Sequence, residues 1–462
     1  MKHSEKKLTL TFVGGARKVT GANFLLEAFD GDRVTRMLVD CGIEQGSRFC
    51  ESRNKEPFPY DPKTIDTLFL THAHADHIGL YPKLSREGFG GTTYATKATK
   101  DLVPVMLKDS VSIMTREAKF CDEEPPYTSA DIESAVAKIK AVDYRKKIEV
   151  APGISATLYN AGHILGSSTV LIDVWGTRLL FTGDLGKVPA QLTEDRDVPE
   201  EKVHYLITES VYGNRTHVPV EDSERDLLAA VKSITKNKGT LLIPSFSLER
   251  TQIILETLDR FITEKKIDPL PVFLDSPLAT LVTGVYKENT SFLRKSLQEQ
   301  IQRGDDPFSF PSLKVTYSKD DSKQVDSEAP PKIIIAGAGM SHGGRIRSHE
   351  KTYLPDPRSY LLLVGYQVPG GLGRRLQDGA KKVQIDKKTV KVRATVSKTG
   401  GFSAHADRDD LVKFVEDTNP EEVFVVLGEL EASRFLAQRI SGFLGIKTTI
   451  PQRGEEFELA LH

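Results

Sequence analysis

Short apolar runs separated by glycine-containing turns fill the first part of the chain. They read LTLTFVGG from Leu8, NFLLEAF from Asn23, RMLVDCG from Arg36 and TLFLTH from Thr67. Apolar runs of this length with turn residues at their ends are typical of β-strands. The pattern predicts a β-sheet whose end loops carry functional groups.

Helical and hairpin patterns follow. The stretches KDLVPVMLKDSVSIMTREA and TSADIESAVAKIK have the spacing of apolar residues that predicts helices. Strands return in ISATLYNAG, and TVLIDVWGTRLLFTGD has the pattern of a β-hairpin. Asp184 lies where the second strand of this hairpin is expected to end.

From Tyr205 onward, strands and helices alternate regularly. The expected strands include GTLLIPSF, PVFLDS, KIIIAGAGM and SYLLLVGY, with helical patterns between them. Such alternation predicts a parallel, doubly wound sheet in the middle of the chain. The polar, proline-rich segment DDPFSFPSLKVTYSKDDSKQVDSEAPPK is expected to be a surface excursion. The last portion has the pattern helix, strand, helix, strand in DDLVKFVEDTN, EVFVVLGE, SRFLAQRISGFLG and KTTI. It could complete either the first sheet or the sheet in the middle of the chain.

Composition adds limits to this picture. A chain of 462 residues is expected to form two or more domains, and 39% hydrophobic with 27% charged residues is ordinary for a soluble globular protein. The net charge of −1 gives no general attraction to polyanions, so nucleic-acid binding would need a local basic patch. Neither an apolar leader nor a run long enough to span a membrane is present in the sequence. We therefore expect a soluble, cytoplasmic protein.

The cysteines agree with that expectation. Cys41, Cys50 and Cys121 are too few for a disulfide framework and have no CxxC spacing. Their number and spacing favour a reducing compartment.

The densest chemistry lies in THAHADHIG, which begins at Thr71. His72 and His74 alternate at the end of an apolar strand, and Asp76 and His77 follow at the start of an expected helix. Imidazoles with one carboxylate are ligands suited to Zn²⁺ or a similar divalent ion. One such segment cannot complete the coordination of a catalytic site, so further ligands must come from other loops.

Two loops are candidates for these ligands. NAGHILGS places His163 in a turn after a strand, and FTGDLG places Asp184 between glycines at a strand end. Glycine allows the backbone to approach a metal closely there.

Together, HxHxDH, AGHxxGS and TGDLG resemble the metallo-β-lactamase superfamily, and Asp40 in LVDCG matches its first motif. Further segments resemble the β-CASP branch, close to the bacterial and archaeal cleavage-and-polyadenylation-type exo- and endonucleases: TESVYGNRTH, PSFSLERTQ, DSPLA, GMSHGGRI, GYQVPGGLGRRL and FSAHAD. The resemblance implies an α/β fold, namely an αββα metallo-β-lactamase sandwich with an inserted β-CASP α/β domain built on a parallel sheet. The expected domain bounds are 1–210 and 396–462 for the sandwich and 211–395 for the insert.

The resemblance also implies roles for individual residues. One zinc would be held by His72, His74 and His163, a second by Asp76 and His77, with Asp184 bridging both and a metal-bound hydroxide attacking the phosphodiester. Asp40 would orient a ligand by hydrogen bonding. Glu209 and His405 would form a catalytic pair, with His405 as general acid. The implied function is a zinc-dependent ribonuclease that processes RNA as an endonuclease, a 5′-exonuclease or both.

The chain departs from the family at one position. The branch has a histidine ligand of the second zinc before Gly-Glu, where this chain has Leu427 in FVVLGELEAS. Leucine cannot bind a metal ion, so we expect one tight zinc and a second, weaker one. The alternatives are a weakly active or non-catalytic RNA-binding or assembly paralogue, a DNA-directed nuclease, and a small-molecule metallohydrolase on the same fold.

Contacts to RNA are expected from the middle of the chain. Arg250, Arg345 and the glycine-rich loop around Gly339 are candidates for binding phosphate, against the alternative of surface arginines and an ordinary loop. The basic run GRRLQDGAKK could be only a solvated face. The expected partners are single-stranded RNA and a second copy of the chain in a homodimer, with no membrane.

Overall fold

The computed structural model describes residues 6–46 and 49–462. In chain order its strands are β1 (Lys6–Phe12), β2 (Phe24–Asp30), β3 (Arg33–Val39), β4 (Thr67–Phe69), β5 (Thr92–Ala95), β6 (Ile139–Ala141), β7 (Lys147–Ala151), β8 (Ile154–Asn160), β9 (Ser168–Val174), β10 (Thr177–Phe181), β11 (Tyr205–Thr208), β12 (Thr240–Pro244), β13 (Val272–Leu274), β14 (Leu313–Val315), β15 (Lys332–Ala336), β16 (Tyr360–Leu363), β17 (Lys382–Ile385), β18 (Lys388–Lys391), β19 (Thr395–Lys398), β20 (Glu422–Val425), β21 (Lys447–Thr449) and β22 (Glu456–Leu459).

The α-helices are α1 (Ala75–Ile78), α2 (Tyr81–Arg86), α3 (Lys97–Phe120), α4 (Ser129–Val136), α5 (Val220–Asn237), α6 (Arg250–Thr263), α7 (Pro277–Glu288), α8 (Lys295–Gln302), α9 (Lys319–Ser327), α10 (Ile346–Tyr353), α11 (Leu372–Gln377), α12 (Arg408–Thr418) and α13 (Leu430–Arg439). A π-helical turn, Ile440–Leu444, continues α13. None of the helices in the described part of the chain combines the length and apolar character needed to cross a bilayer.

The chain divides into two compact units. Unit 1 consists of Met1–Thr216 and His405–His462, and unit 2 is the continuous segment His217–Ala404. The family resemblance predicts domain boundaries after residues 210 and 395. These boundaries refer to segments shared with the family, not to compact units, and they stay a prediction.

Unit 1 contains two seven-stranded sheets. The first has the order β22-β1-β2-β3-β4-β5-β6, and the second has the order β21-β20-β11-β10-β9-β8-β7. Alternate residues of their strands, such as Leu10 in β1, Ile172 in β9 and Phe181 in β10, form one buried core. The intervening residues of the second sheet, such as Leu180, pack on α12 and α13 instead. Because both faces are buried, these strands read as nearly continuous apolar runs.

Unit 2 is built on a six-stranded sheet. Its order is β14-β13-β15-β12-β16-β19, and every neighbouring pair is parallel. Residues of β12, β15 and β16 share a buried core with α10 and α11 and with the β17–β18 hairpin. The predicted α/β fold, with a parallel sheet in the middle of the chain, is confirmed.

Two predictions from the sequence need correction, and one alternative that the sequence leaves open is resolved. The proline-rich segment is not a simple excursion, because it supplies β14, an edge strand of the unit 2 sheet, and helix α9. The C-terminal portion, for which the strand pattern leaves either sheet open, completes both sheets of unit 1, since β20 and β21 extend one and β22 the other. Cys50 and Cys121 form a disulfide with their Cα atoms 5.5 Å apart, although 71 residues separate them in the chain. The free Cys41 is buried.

Candidate active site

The histidine-rich segment forms the turn that follows β4. His72 and His74 lie in this turn, beyond the strand end at Phe69, and α1 begins directly after His74. The sequence pattern predicts both histidines at the end of the strand itself, which is wrong, because the strand ends at Phe69. The turn nevertheless brings their rings together, because His72 Nε2 lies 3.0 Å from His74 Nδ1.

His163 and Asp184 come from two further loops of unit 1. The turn between β8 and β9 holds His163, whose backbone N–H donates to Ser167 Oγ over 3.0 Å. Asp184 follows β10 and is preceded by Gly183, which has φ +53. A Cβ atom at Gly183 would lie 2.6 Å from Thr71 Oγ1, so only glycine allows the two loops to approach this closely.

Four side chains converge at this point: His72, His74, His163 and Asp184, whose ligand atoms all lie within 4.8 Å of one another. The distance from His74 Nδ1 to His163 Nε2 is 3.3 Å, and Asp184 Oδ2 lies 3.4 Å from His72 Nε2 and 3.6 Å from His163 Nε2. Zinc bonds of roughly 2.0–2.2 Å give a tetrahedron with edges of about 3.3–3.6 Å. Three of these distances match such edges, and the 3.0 Å between His72 Nε2 and His74 Nδ1 is slightly shorter, so the four donors suit a tetrahedrally coordinated divalent ion.

The protonation of these imidazoles also suits a metal. Burial lowers the pKa of His72, His74 and His163, and neighbouring histidines lower each of them further. A neutral imidazole has the free lone pair that a metal ligand needs. Burial alone would raise the pKa of Asp184, but His77 and His72 hold it well below its usual range, so this ligand is a carboxylate.

Asp40 lies behind the cluster and fixes His77. It accepts hydrogen bonds from the backbone N–H and the hydroxyl of Thr71, both at 2.8 Å, and its Oδ2 is 2.7 Å from His77 Nδ1. His77 Nε2 then points towards Asp184 Oδ1 at 3.3 Å, is buried, and has no hydrogen-bond partner among the described residues. An orphaned ring nitrogen held by a carboxylate on the other side of the ring is the arrangement of a metal ligand.

The second ligand set is less complete than the first. Asp76, His77 and Asp184 do not converge as a three-donor group in the part of the chain that the structure describes. Burial opposes protonation of His77, but Asp184 and Asp40 raise its pKa well above the usual value, so a metal must displace a proton there. Burial raises the pKa of Asp76.

Leu427 occupies the position where the family places a further histidine. Its side chain is 1% exposed and belongs to the apolar core between the two sheets. Its N–H donates to the carbonyl of Gly15 over 2.7 Å, and its carbonyl accepts from Ser210 over 3.3 Å. The backbone is therefore held in place, while the side chain contributes packing and no ligand.

His405 and Glu209 lie beside the converging donors. His405 Nδ1 is 3.5 Å from Glu209 Oε1 and 3.9 Å from Asp184 Oδ2. Glu209 is held by the backbone N–H of Leu185, 2.7 Å from Oε1. Burial opposes protonation of His405, but the Glu209 carboxylate outweighs it, so the pKa of His405 is raised. A raised pKa favours the imidazolium, which can donate a proton close to the four converging donors.

A buried arginine, Arg196, which no sequence motif marks, connects these loops. Arg196 donates to the carbonyl of Gly186 over 2.5 Å and to the carbonyl of Asp410 over 2.8 Å, and its side chain is only 6% exposed. Gly186 is two residues from Asp184, and Asp410 is in the first turn of the helix after His405. In the sequence, Arg196 lies in TEDRD, a pattern typical of a solvated charged loop. Nothing in the sequence identifies the carbonyls of Gly186 and Asp410 as its hydrogen-bond partners.

The candidate phosphate contacts lie in unit 2. Arg250 Nε donates to the carbonyl of Phe402 over 3.2 Å, and Arg345 Nη1 lies 2.6 Å from Asp275 Oδ1, so both guanidinium groups have internal partners. Gly339 is buried, and its carbonyl accepts from Gln367 over 3.0 Å. Their role in binding phosphate stays a prediction.

Family models match three segments of the chain. Residues 24–245 match the metallo-β-lactamase superfamily, residues 251–376 the β-CASP domain, and residues 389–451 the Zn-dependent metallo-hydrolase RNA specificity domain.

Curated relatives match nearly the whole chain. Ribonuclease TTHA0252 of Thermus thermophilus is 36% identical over 91% of this chain and 95% of its own length. The transcription termination factor FttA of Methanocaldococcus jannaschii is 32% identical over 96% of this chain and 70% of its own length. A crystal structure of a protein of unknown function from Enterococcus faecalis has the same fold, with a TM-score of 0.59 at 17% identity, over 98% of this chain and 100% of that one. The chain therefore belongs to the metallo-β-lactamase superfamily and, within it, to the β-CASP branch.

Proposed function

We propose that this protein is a zinc-dependent ribonuclease that cleaves phosphodiester bonds in single-stranded RNA. The observation that carries the proposal is the converging set of His72, His74, His163 and Asp184, with His405, whose pKa Glu209 raises, beside it. Its similarity to Ribonuclease TTHA0252 over nearly the full length of both chains supports RNA as the substrate.

Zn²⁺ held by these donors would supply a Lewis acid that activates water and neutralises charge on the scissile phosphate. The protein's own side chains would supply the proton for the leaving oxygen and orient the metal-binding groups. His405, protonated and held by Glu209, donates a proton to the leaving oxygen. Asp40 accepts a hydrogen bond from His77 Nδ1 and orients the ring so that Nε2 would bind a metal on losing its proton.

The two metal sites are proposed to differ in affinity. The first set has four converging donors, whereas Leu427 leaves the second with Asp76, His77 and the shared Asp184. We propose one tight zinc and one weaker zinc in each chain. We further propose that the protein cleaves RNA as an endonuclease, a 5′-exonuclease or both. The lengths of the products formed from end-labelled RNA distinguish these cleavage modes.

The test combines zinc analysis with cleavage of labelled single-stranded RNA and of DNA of the same sequence. Asp184→Ala removes the shared ligand and is expected to lower RNA cleavage on the order of a thousandfold or more. Asp32→Ala removes an exposed carboxylate in the turn between β2 and β3 and serves as the matched control. Equal cleavage by wild type and Asp184→Ala would refute the proposal, since the activity would then come from elsewhere.

Leu427 favours a second candidate, a non-catalytic RNA-binding or assembly protein. This reading is supported if the wild type binds RNA, cuts neither RNA nor DNA, and gains cleavage through Leu427→His. Preferential cleavage of DNA would instead favour a DNA-directed nuclease. Homodimerisation stays a prediction, which light scattering on the eluting peak of a size-exclusion column tests.

A further inference from the structure

The β17–β18 hairpin of unit 2 concentrates positive charge. Residues 381–393, here called the basic hairpin, read KKVQIDKKTVKVR and contain six lysines and arginines with Asp386 as the only acidic residue. The net charge of the whole chain is −1, so this excess of positive charge is local. A local basic patch of this kind is what an otherwise neutral protein needs to bind a polyanion.

Packing accounts for the apolar residues of the basic hairpin but not for its lysines. Val383, Ile385 and Val390 are buried in the core of unit 2. The register places Lys382 directly opposite Lys391 on the neighbouring strand. Like charges directly opposite each other destabilise a strand pair. Their side chains are exposed, so folding alone gives no reason for this pairing.

The acidic residues nearby do not neutralise these lysines. Asp386 is paired with Arg347 and Lys351, each at 2.8 Å. Among the residues that the structure describes, Lys382, Lys388 and Lys391 have no carboxylate oxygen within 4.0 Å of their ammonium groups. The charge of these three ammonium groups is therefore available to an external anion.

The basic hairpin and α10 form an open concave surface. Its cavity, of about 620 Å³, is lined by residues of α10, the loop after it and β18, and these include no carboxylate: Ser348, Lys351, Thr352, Pro355, Lys388, Thr389, Val390 and Lys391. Ammonium and hydroxyl groups are the donors that bind phosphate oxygens. A volume of this size falls in the usual range of roughly 300–1,000 Å³ for ligand sites.

We propose that the basic hairpin, with the facing side of α10, binds the phosphate backbone of substrate RNA through groups that take no part in cleavage. The proposal rests on the proposed function, because it is the ribonuclease assignment that makes RNA the relevant polyanion. A lipid surface fits less well, since the apolar residues of the hairpin are buried and leave no face to insert into a membrane. Phosphate contacts carry no base information, so the hairpin contributes affinity without sequence preference.

The test measures RNA affinity across a range of potassium chloride concentrations, in an Asp184→Ala background that keeps the RNA intact. The triple variant Lys382→Gln, Lys388→Gln, Lys391→Gln removes the three unpaired charges. The matched control, Lys232→Gln, Lys236→Gln, Lys238→Gln, removes three exposed lysines at the C-terminal end of α5, also in unit 2. Thermal unfolding of both variants establishes that each is folded.

Three lost phosphate contacts are expected to reduce the slope of log affinity against log salt by about 2, and the affinity at about 0.1 M salt by roughly 10–100-fold. The control triple is expected to stay close to wild type. Equal affinity of the two triples would overturn the proposal. So would an unchanged RNA affinity accompanied by weaker binding to phosphatidylserine vesicles.

Cleavage by the wild-type chain separates this proposal from the proposed function. If wild type cuts RNA while the hairpin triple binds it normally, the ribonuclease assignment stands and the hairpin contact is wrong. If wild type binds RNA without cutting it and the hairpin triple loses binding, the hairpin contact stands and the ribonuclease assignment fails.

Discussion

Glu350 in α10 is a buried carboxyl group that the candidate active site does not use. Its side chain is fully buried, one oxygen accepts a hydrogen bond from the Ser341 hydroxyl, and the other has no partner among the described residues. Burial raises the pKa of Glu350 from 4.5 to about 8, against the opposing effects of Ser341 and Arg347. The folded protein therefore keeps this group protonated at neutral pH.

The sign of the stability effect follows from this raised pKa. Below pH 4.5 both folded and unfolded chains are protonated, so the group adds no pH dependence. Between pH 4.5 and about 8 the unfolded chain ionises and the folded one does not, so stability falls by about 1.4 kcal/mol per pH unit. Above pH 8 the loss levels off, at about 5 kcal/mol.

Glu350→Gln keeps the shape and the acceptor for Ser341 but cannot ionise. Relative to wild type, its free energy of unfolding should rise by about 4 kcal/mol between pH 5 and pH 8. Urea denaturation followed by far-ultraviolet circular dichroism measures this difference, and the single tryptophan, Trp175, reports on unit 1 separately. Glu288→Gln, an exposed glutamate of unit 2, controls for the charge change. A stability difference that is the same at pH 5 and pH 8 would refute a protonated Glu350.

Two further predictions concern the site. Leu427→His is expected to tighten the second zinc roughly tenfold or more in chelator competition, whereas Leu427→Ala should not; two equally tight zinc ions in wild type would contradict this. Arg196→Ala should lower kcat by about 10–100-fold, because the Asp184 and His405 loops lose a shared support. Added methylguanidinium should restore part of the activity, and exposed Arg434→Ala should change neither kcat nor KM. An undiminished kcat would contradict a positioning role.

The strands and the metal-binding loops could be predicted from the sequence because both depend on local pattern. Apolar runs show where a strand ends, and glycines flanking His163 and Asp184 mark loops in which the backbone can approach a metal. The apolar run TLFL predicts a strand that reaches the histidines, whereas β4 ends at Phe69, so His72 and His74 lie in the turn that follows.

The disulfide, the edge strand β14 and the contacts of Arg196 could not be predicted, because contacts between distant segments are not encoded in the spacing of residues along the chain. Cys50 meets Cys121 across 71 residues. β14 is a three-residue edge strand in a proline-rich segment, so its apolar pattern is too short to detect. Arg196 binds two backbone carbonyls, and any residue type could supply these.

The two C-terminal additions to unit 1 bear on how the protein emerges from the ribosome. A nascent chain that has reached residue 404 contains all of unit 2, with its own sheet and core, but lacks His405 and the strands β20 and β22. Until those strands arrive, β11 and β1 are unpaired sheet edges, and such edges are prone to join other chains. Residues 405–462 therefore cover the edges of β11 and β1 with new strands, and they bring His405, the proposed general acid, into unit 1 in the same stretch of chain.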